Sequence, residues 1–332
     1  TGTQAIAIGG LYGNDLYSAS ATTDGAGNLT KNTQASGEAS IAMGVNTKAT
    51  GKQALAMGSD AQAKSEAALA IGVNAVSDKG IAIGKNSTSG GSSSSIALGT
   101  NATSNVGGIA IGESATANSQ SIVIGAETRN GRAIKAVIIG DGAGVGSAAG
   151  TNAPAEYSIA IGRNAGKESE GGSFSHNLLN TIAIGANSKI GDTNKKVSQS
   201  IAIGGAADNN TVTNGTWARG DQSIAIGADV EAMGDSSIAI GGDDLNSVSA
   251  SNSSYVKKTF DKAGTQTGTQ NISTNLNNIY KDLTGRTEGL GWGSYRATNS
   301  GQGAVALGVK SKAGDIALAI GTLSEATGIN SV

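Results

Sequence analysis

Acid–base and nucleophilic chemistry have little to work with in this chain. His176 is the only imidazole, in the run Gly171-Gly172-Ser173-Phe174-Ser175-His176. Ser173 and Ser175 stand beside it, but no acid is placed to orient the ring for a relay, so His176 reads as a polar loop residue. Cysteine is absent, which removes disulfides and thiolate metal sites. The fragment Gly241-Gly242-Asp243-Asp244 resembles a calcium-binding turn but does not recur as an array. No Gly-Lys-Ser/Thr phosphate loop appears. The chain is therefore expected to be non-enzymatic, without cofactor or metal.

The residues that remain suit binding. Basic side chains gather at Arg129, Arg132, Lys135, Arg163, Lys167, Lys189, Lys195 and Lys196, interleaved with Glu127, Glu168, Glu170 and Asp192. Aligned as a stripe, the cations would favour acidic partners, while a net charge of −2 gives no overall pull toward nucleic acid. Trp217, Tyr255, Tyr280, Trp292 and Tyr295 are of the types that interfaces favour.

These residues are positioned by a repeat. An aliphatic residue, usually Ala, a second long apolar residue and Gly recur as Ile6-Ala7-Ile8-Gly9, Ile41-Ala42-Met43-Gly44, Leu55-Ala56-Met57-Gly58, Leu69-Ala70-Ile71-Gly72 and Ile81-Ala82-Ile83-Gly84. Eleven further copies begin at residues 96, 109, 122, 137, 159, 182, 201, 224, 238, 305 and 318, so sixteen of the 52 glycines close a copy. The base spacing is about 14 residues, and none of the ten aromatics falls inside a copy. Each copy reads as a short strand, with its two large residues on one face and Ala on the other. Nine copies carry Asn or Asp two positions after Gly (Asn46, Asp60, Asn74, Asn86, Asn101, Asn164, Asn187, Asp229 and Asp243), where a left-handed turn residue is suited. A second short segment, such as Thr47-Lys48-Ala49-Thr50-Gly51, then completes a coil.

A unit of 14 residues cannot bury its apolar face alone, whereas stacked units share a continuous core. Sixteen coils at about 4.8 Å each would make a rod of roughly 75 Å. With so few large residues per coil the rod looks thin. The all-small face invites close approach by other chains, through Ala42, Ala56, Ala70, Ala82, Ala97, Ala110, Ala160, Ala183, Ala202, Ala225 and Ala239. Homo-oligomerisation is expected on this ground.

Insertions interrupt the coils at about 10–36, 142–157, 163–180, 186–199, 205–222 and 242–303. Loops on a rigid frame are where specificity usually sits. In the longest, Ile272, Leu276, Ile279 and Leu283 have helical spacing and Gly285 follows as a cap, which predicts a short helix over 271–284. Residues 255–268 predict a hairpin turning at Asp261-Lys262-Ala263-Gly264.

Stretches such as Ser158-Ile159-Ala160-Ile161-Gly162-Arg163-Asn164-Ala165, Ser200-Ile201-Ala202-Ile203-Gly204 and Ser223-Ile224-Ala225-Ile226-Gly227-Ala228-Asp229 resemble the YadA-like head of trimeric autotransporter adhesins. The resemblance spans nearly the whole chain apart from the insertions. It implies an all-β fold, a left-handed parallel β-roll (β-solenoid) in an intertwined homotrimer. It also implies a head held outside the bacterial cell by a coiled-coil stalk and an outer-membrane anchor. It further implies binding to extracellular-matrix proteins (fibronectin, laminin or collagen) or epithelial cell receptors. Stalk and anchor are absent from these 332 residues, and contact with a membrane would run only through that anchor. The chain opens at Thr1 without a leader, which points to a processed chain or a fragment, and residues 328–332 resemble the opening of another repeat. Two copies depart from the pattern, with Val123 and Ile138 in place of Ala, which puts close packing there in doubt. Two other functions fit a solenoid: a spacer projecting another binding region, and a carbohydrate-binding surface. The aromatic-bearing insertions favour the adhesin over the spacer. An ice-binding face would need regular threonine ladders, and the turn positions vary too much for that.

Overall fold

The Ile-Ala-Ile-Gly strands stack directly on one another. In the computed structural model they form one parallel sixteen-stranded sheet, in chain order from Ile6–Ile8 to Leu318–Ile320. Register is kept throughout: Leu55 pairs with Leu69, Ala56 with Ala70 and Met57 with Ile71. The structure describes residues 2–9, 32–92, 94–128, 134–144, 156–166, 178–191, 197–205, 215–242, 255–272, 298–322 and 324–332.

The coil of residues 55–68 shows how the unit closes. Leu55–Met57 is the first strand, Gly58 starts a turn, Gln62–Ala63 is the second strand, and a second turn returns the chain to Leu69. Asp60 (φ 60°) and Ala67 (φ 55°) are left-handed, one in each turn. Of the nine turn residues Asn46 to Asp243, eight have positive φ, and Asp243 lies outside the described residues. The second left-handed position was not legible, because Gln53, Ala67, Lys135 and Tyr157 all occupy it and share no chemistry. Backbone bonds run coil to coil even through the turns, as in Asp60 N–H to Val45 O (2.9 Å) and Ala67 N–H to Lys52 O (2.8 Å). Side chains extend the ladder: the Asn74 amide donates to Asn86 Oδ1 and the Asn86 amide to Asn101 Oδ1, each at 3.1 Å.

The second strands make a parallel sheet of seven, from Gln34–Ala35 to Thr116–Ala117, and another of six, from Lys189–Ile190 to Glu325–Ala326. A separate short pair, Leu178–Leu179 with Val197–Ser198, lies just ahead of the first-sheet strands Ile182–Ile184 and Ile201–Ile203. Several second strands fall inside stretches expected to be insertions: Gln34–Ala35, Lys189–Ile190, Trp217–Ala218 and Asn299–Ser300. They obey the ordinary coil, so the interruptions are shorter than their sequence suggested.

The orientation of the core reverses one expectation. Ala54, Ala56, Ala61, Ala63 and Ala68 are at most 1% exposed, so the coil's interior is lined by methyl groups alone. Ala42, Ala56, Ala70, Ala82, Ala97, Ala110, Ala160, Ala202, Ala225 and Ala239 are fully enclosed, and Ala183 is 1% exposed. They cannot be contacts with another chain. The close approach that small residues permit is between the two sheets of the same coil, and the large aliphatics point outward. Val123 and Ile138 fit this interior: both are fully buried and pair in register where the second sheet is interrupted.

No helix occurs among the described residues. Of the helix expected over 271–284, Asn271 and Ile272 instead end the strand Gln266–Ile272, and the rest lies outside the described residues. The expected hairpin is present: Tyr255–Phe260 pairs antiparallel with Gln266–Ile272.

Candidate functional site

With mostly Ala, Ser and Thr inside, the first sheet turns two long apolar side chains outward on each of its sixteen strands. Ile6 (49%), Ile8 (56%), Met57 (38%) and Ile240 (38%) are among the most exposed. In-register pairing keeps these residues in two unbroken columns. At about 4.8 Å per coil the stripe is about 70 Å long and, two side chains wide, covers on the order of 700 Å². Monomers seldom expose a contiguous apolar patch beyond a few hundred Å². This face is the largest exposed apolar surface among the described residues. Its residues are Ile, Leu, Met and Val of the repeat itself, and their size is the signal the sequence carries for it.

The opposite face is polar and carries one aromatic cluster. Trp217 follows Lys189 and precedes Glu231 in the parallel register. The Arg219 guanidinium lies 4.3 Å from the Trp217 ring centroid and the Lys189 ammonium 5.2 Å from it. Trp217 Nε1 donates to Gly191 O (2.6 Å), and Arg219 pairs with Glu231 at 2.8 Å. Cation and ring hold each other where the second sheet resumes after its interruption, a contact worth about 0.5–2 kcal/mol depending on desolvation.

Of the eight basic residues, the three that are described, Lys135, Arg163 and Lys189, do not share one side of the coil. Lys135 is exposed in the turn before a first-sheet strand, with Nζ donating to the Tyr157 hydroxyl (3.2 Å). Arg163 is exposed in the opposite turn, and Lys189 is on the second strand and only 4% exposed. Arg129, Arg132, Lys167, Lys195 and Lys196 lie outside the described residues, as do His176, Tyr280, Trp292 and Tyr295. Tyr255 opens the hairpin, opposite Ile272. Among the described residues no group of three or more His, Asp or Glu side chains gathers to a metal-sized cluster.

The hairpin tip is a third surface. Asp261 Oδ1 accepts from Ala263 N–H (2.9 Å) and Thr265 N–H (2.8 Å), and Gly264 takes φ 79°. Phe260, beside this tied turn, is 58% exposed. It was not singled out from sequence, because one Phe in an insertion carries no periodic signal.

The family model of the YadA head domain repeat, which spans two copies, matches residues 35–61, 49–75, 149–165, 214–229, 218–243, 300–316 and 314–332. No curated protein matches the chain. The crystal structure of the collagen-binding domain of the Yersinia adhesin YadA aligns over 64% of this chain and 86% of its own, with 23% identity and a TM-score of 0.33.

Proposed function

From a chain that is a YadA-like head built of YadA head domain repeats, we propose the head of a bacterial surface adhesin, a non-enzymatic homotrimer that attaches to host extracellular-matrix proteins or to epithelial cells. The observation that carries it is the outward aliphatic stripe on the sixteen-stranded sheet. Each protomer fills its own thin roll mostly with Ala, Ser and Thr and turns the large side chains of its first sheet toward a neighbour. Three rolls meeting along their first sheets would bury all three stripes around one axis and leave the second sheets, the turns and the insertions facing outward. Trimerisation also multiplies weak contacts into avidity. The ligand classes are those expected of the repeat family: collagen, fibronectin or laminin. The polar outer sheet and the aromatic-bearing insertions are the surfaces left to meet them.

Sedimentation equilibrium of the purified chain is expected to give a trimer, and the chain is expected to bind an immobilised matrix protein and block bacterial attachment to epithelial cells. A stable monomer would overturn the shared-core reading. A trimer that binds no matrix protein and no cell would favour a spacer that only projects another binding region.

A further inference from the structure

The hairpin Tyr255–Phe260/Gln266–Ile272 is unlike the rest of the described chain. It is the one antiparallel pair among the described strands, and every other pairing is the coil-to-coil parallel ladder. It interrupts the roll between the strands Ile238–Gly241 and Asn299–Ser300, so it adds nothing to the stacked core. A two-stranded ribbon is marginal in water without something to pack on. The tip is nonetheless well determined: the Asp261 carboxylate ties down two backbone N–H groups, and Asp261 N–H donates to Thr265 O at 2.8 Å. Register shifts between Thr259 and Phe260, the kind of irregularity that re-aims a side chain. The re-aimed residue is Phe260, more than half exposed beside the turn.

We propose that this hairpin is a docking arm whose Phe260 enters an apolar socket on an acidic protein surface. The proposal rests on the adhesin reading and specifies its contact. A large ring presented from a hydrogen-bonded turn loses little conformational freedom on binding, which is the condition for an anchor residue. Charge selects the partner. The ribbon holds Lys257, Lys258 and Lys262 against Asp261 alone, net +2 in a chain whose total is −2. An acidic surface would be drawn to it. A lipid surface fits less well. Asp261, Lys262, Thr265, Gln266 and Thr267 are exposed around the ring, so a single Phe is ringed by groups that stay in water.

The test compares the full chain with Phe260→Ala, Phe260→Trp and the double variant Lys257→Glu/Lys258→Glu. Probes are immobilised collagen, fibronectin and laminin, and vesicles of phosphatidylcholine with phosphatidylserine. Because Phe260 is exposed, the melting midpoint should not move. Phe260→Ala is expected to weaken binding to one protein probe about tenfold or more, with Phe260→Trp restoring most of it. The lysine double variant is expected to slow association severalfold at low salt and little at high salt. Unchanged protein binding by Phe260→Ala would overturn the docking arm and leave the adhesin function standing. Phe260-dependent binding to vesicles alone would overturn it in favour of a lipid contact. If the unsubstituted chain binds neither protein probes nor cells, the adhesin reading and the arm fall together.

Discussion

Gly58 lies against the carbonyl of Gly72 on the next coil. A Cβ built at Gly58 would stand 2.5 Å from Gly72 O and 2.7 Å from Gly72 C, both backbone atoms that the ladder holds in place. Gly58 also takes φ 128°, a conformation L side chains rarely adopt. The same contact recurs up the column: Gly72 meets Gly84 and Gly84 meets Gly99. Glycine here sets the coil spacing. Gly58→Ala is expected to cost about 2–4 kcal/mol, from strain and from prising two coils apart. Chemical denaturation at fixed protein concentration reads this, and an unchanged midpoint would contradict the stacking.

The inward and outward positions of one strand make opposite predictions. Ala70 is fully buried in its own coil, while its neighbour Ile71 is part-exposed on the aliphatic stripe. Ala70→Leu forces extra volume between two sheets and is expected to destabilise each protomer by about 1–3 kcal/mol or more. Ile71→Lys leaves the roll intact but places a charge in the proposed trimer core. Its expected effect is a shift from trimer to monomer in sedimentation velocity, with strand content retained by circular dichroism. Loss of the fold by Ile71→Lys and tolerance of Ala70→Leu would reverse the assignment of the two faces.

Repeat, coil and most turns could be read from sequence because they rest on local chemistry. Two large residues separated by one small residue make a strand, Gly permits the approach at its end, and Asn or Asp accepts left-handed backbone two positions later. Which face is inside could not be read, because period-two alternation separates the faces without ranking them. Ala56 inside and Leu55 outside inverts the usual order of burial, and only the narrow gap between the two sheets enforces it. The hairpin was legible from its Asp261-Lys262-Ala263-Gly264 turn, but the exposure of Phe260 depends on where the bulge falls. The three described basic residues are not one surface, because nearness in sequence is not nearness on a coil: Lys135, Arg163 and Lys189 occupy two different turns and a strand.

Side chains in the C-terminal coils stand in for the backbone ladder. Asp221 Oδ1 accepts from Ser198 N–H (2.7 Å), Asp235 Oδ1 from Asp221 N–H (2.9 Å), Gln302 Oε1 from Asp235 N–H (2.9 Å) and Asp315 Oδ1 from Gln302 N–H (3.0 Å). Each acceptor reaches back one coil. Asp235→Ala removes the partner of a part-buried N–H and is expected to cost about 1–2 kcal/mol. Asp235→Asn retains an acceptor oxygen and is expected to cost less. Equal losses from both would assign the effect to charge rather than to the hydrogen bond.

Val123 and Ile138 offer the most direct test of the core. They are fully buried, paired in register on adjacent coils, and sit where most coils place Ala. Their volume fills the interior at the break in the second sheet, where a methyl group would leave a void. Ile138→Ala is expected to cost about 2–5 kcal/mol, and Val123→Ala somewhat less because fewer atoms are removed. As neighbours in contact they should be coupled, so the double variant should depart from the sum of the single effects by about 0.5 kcal/mol or more. A double-mutant cycle on the melting or denaturation midpoint measures this. If both single substitutions are neutral, the interior there is narrow enough for Ala and no void forms.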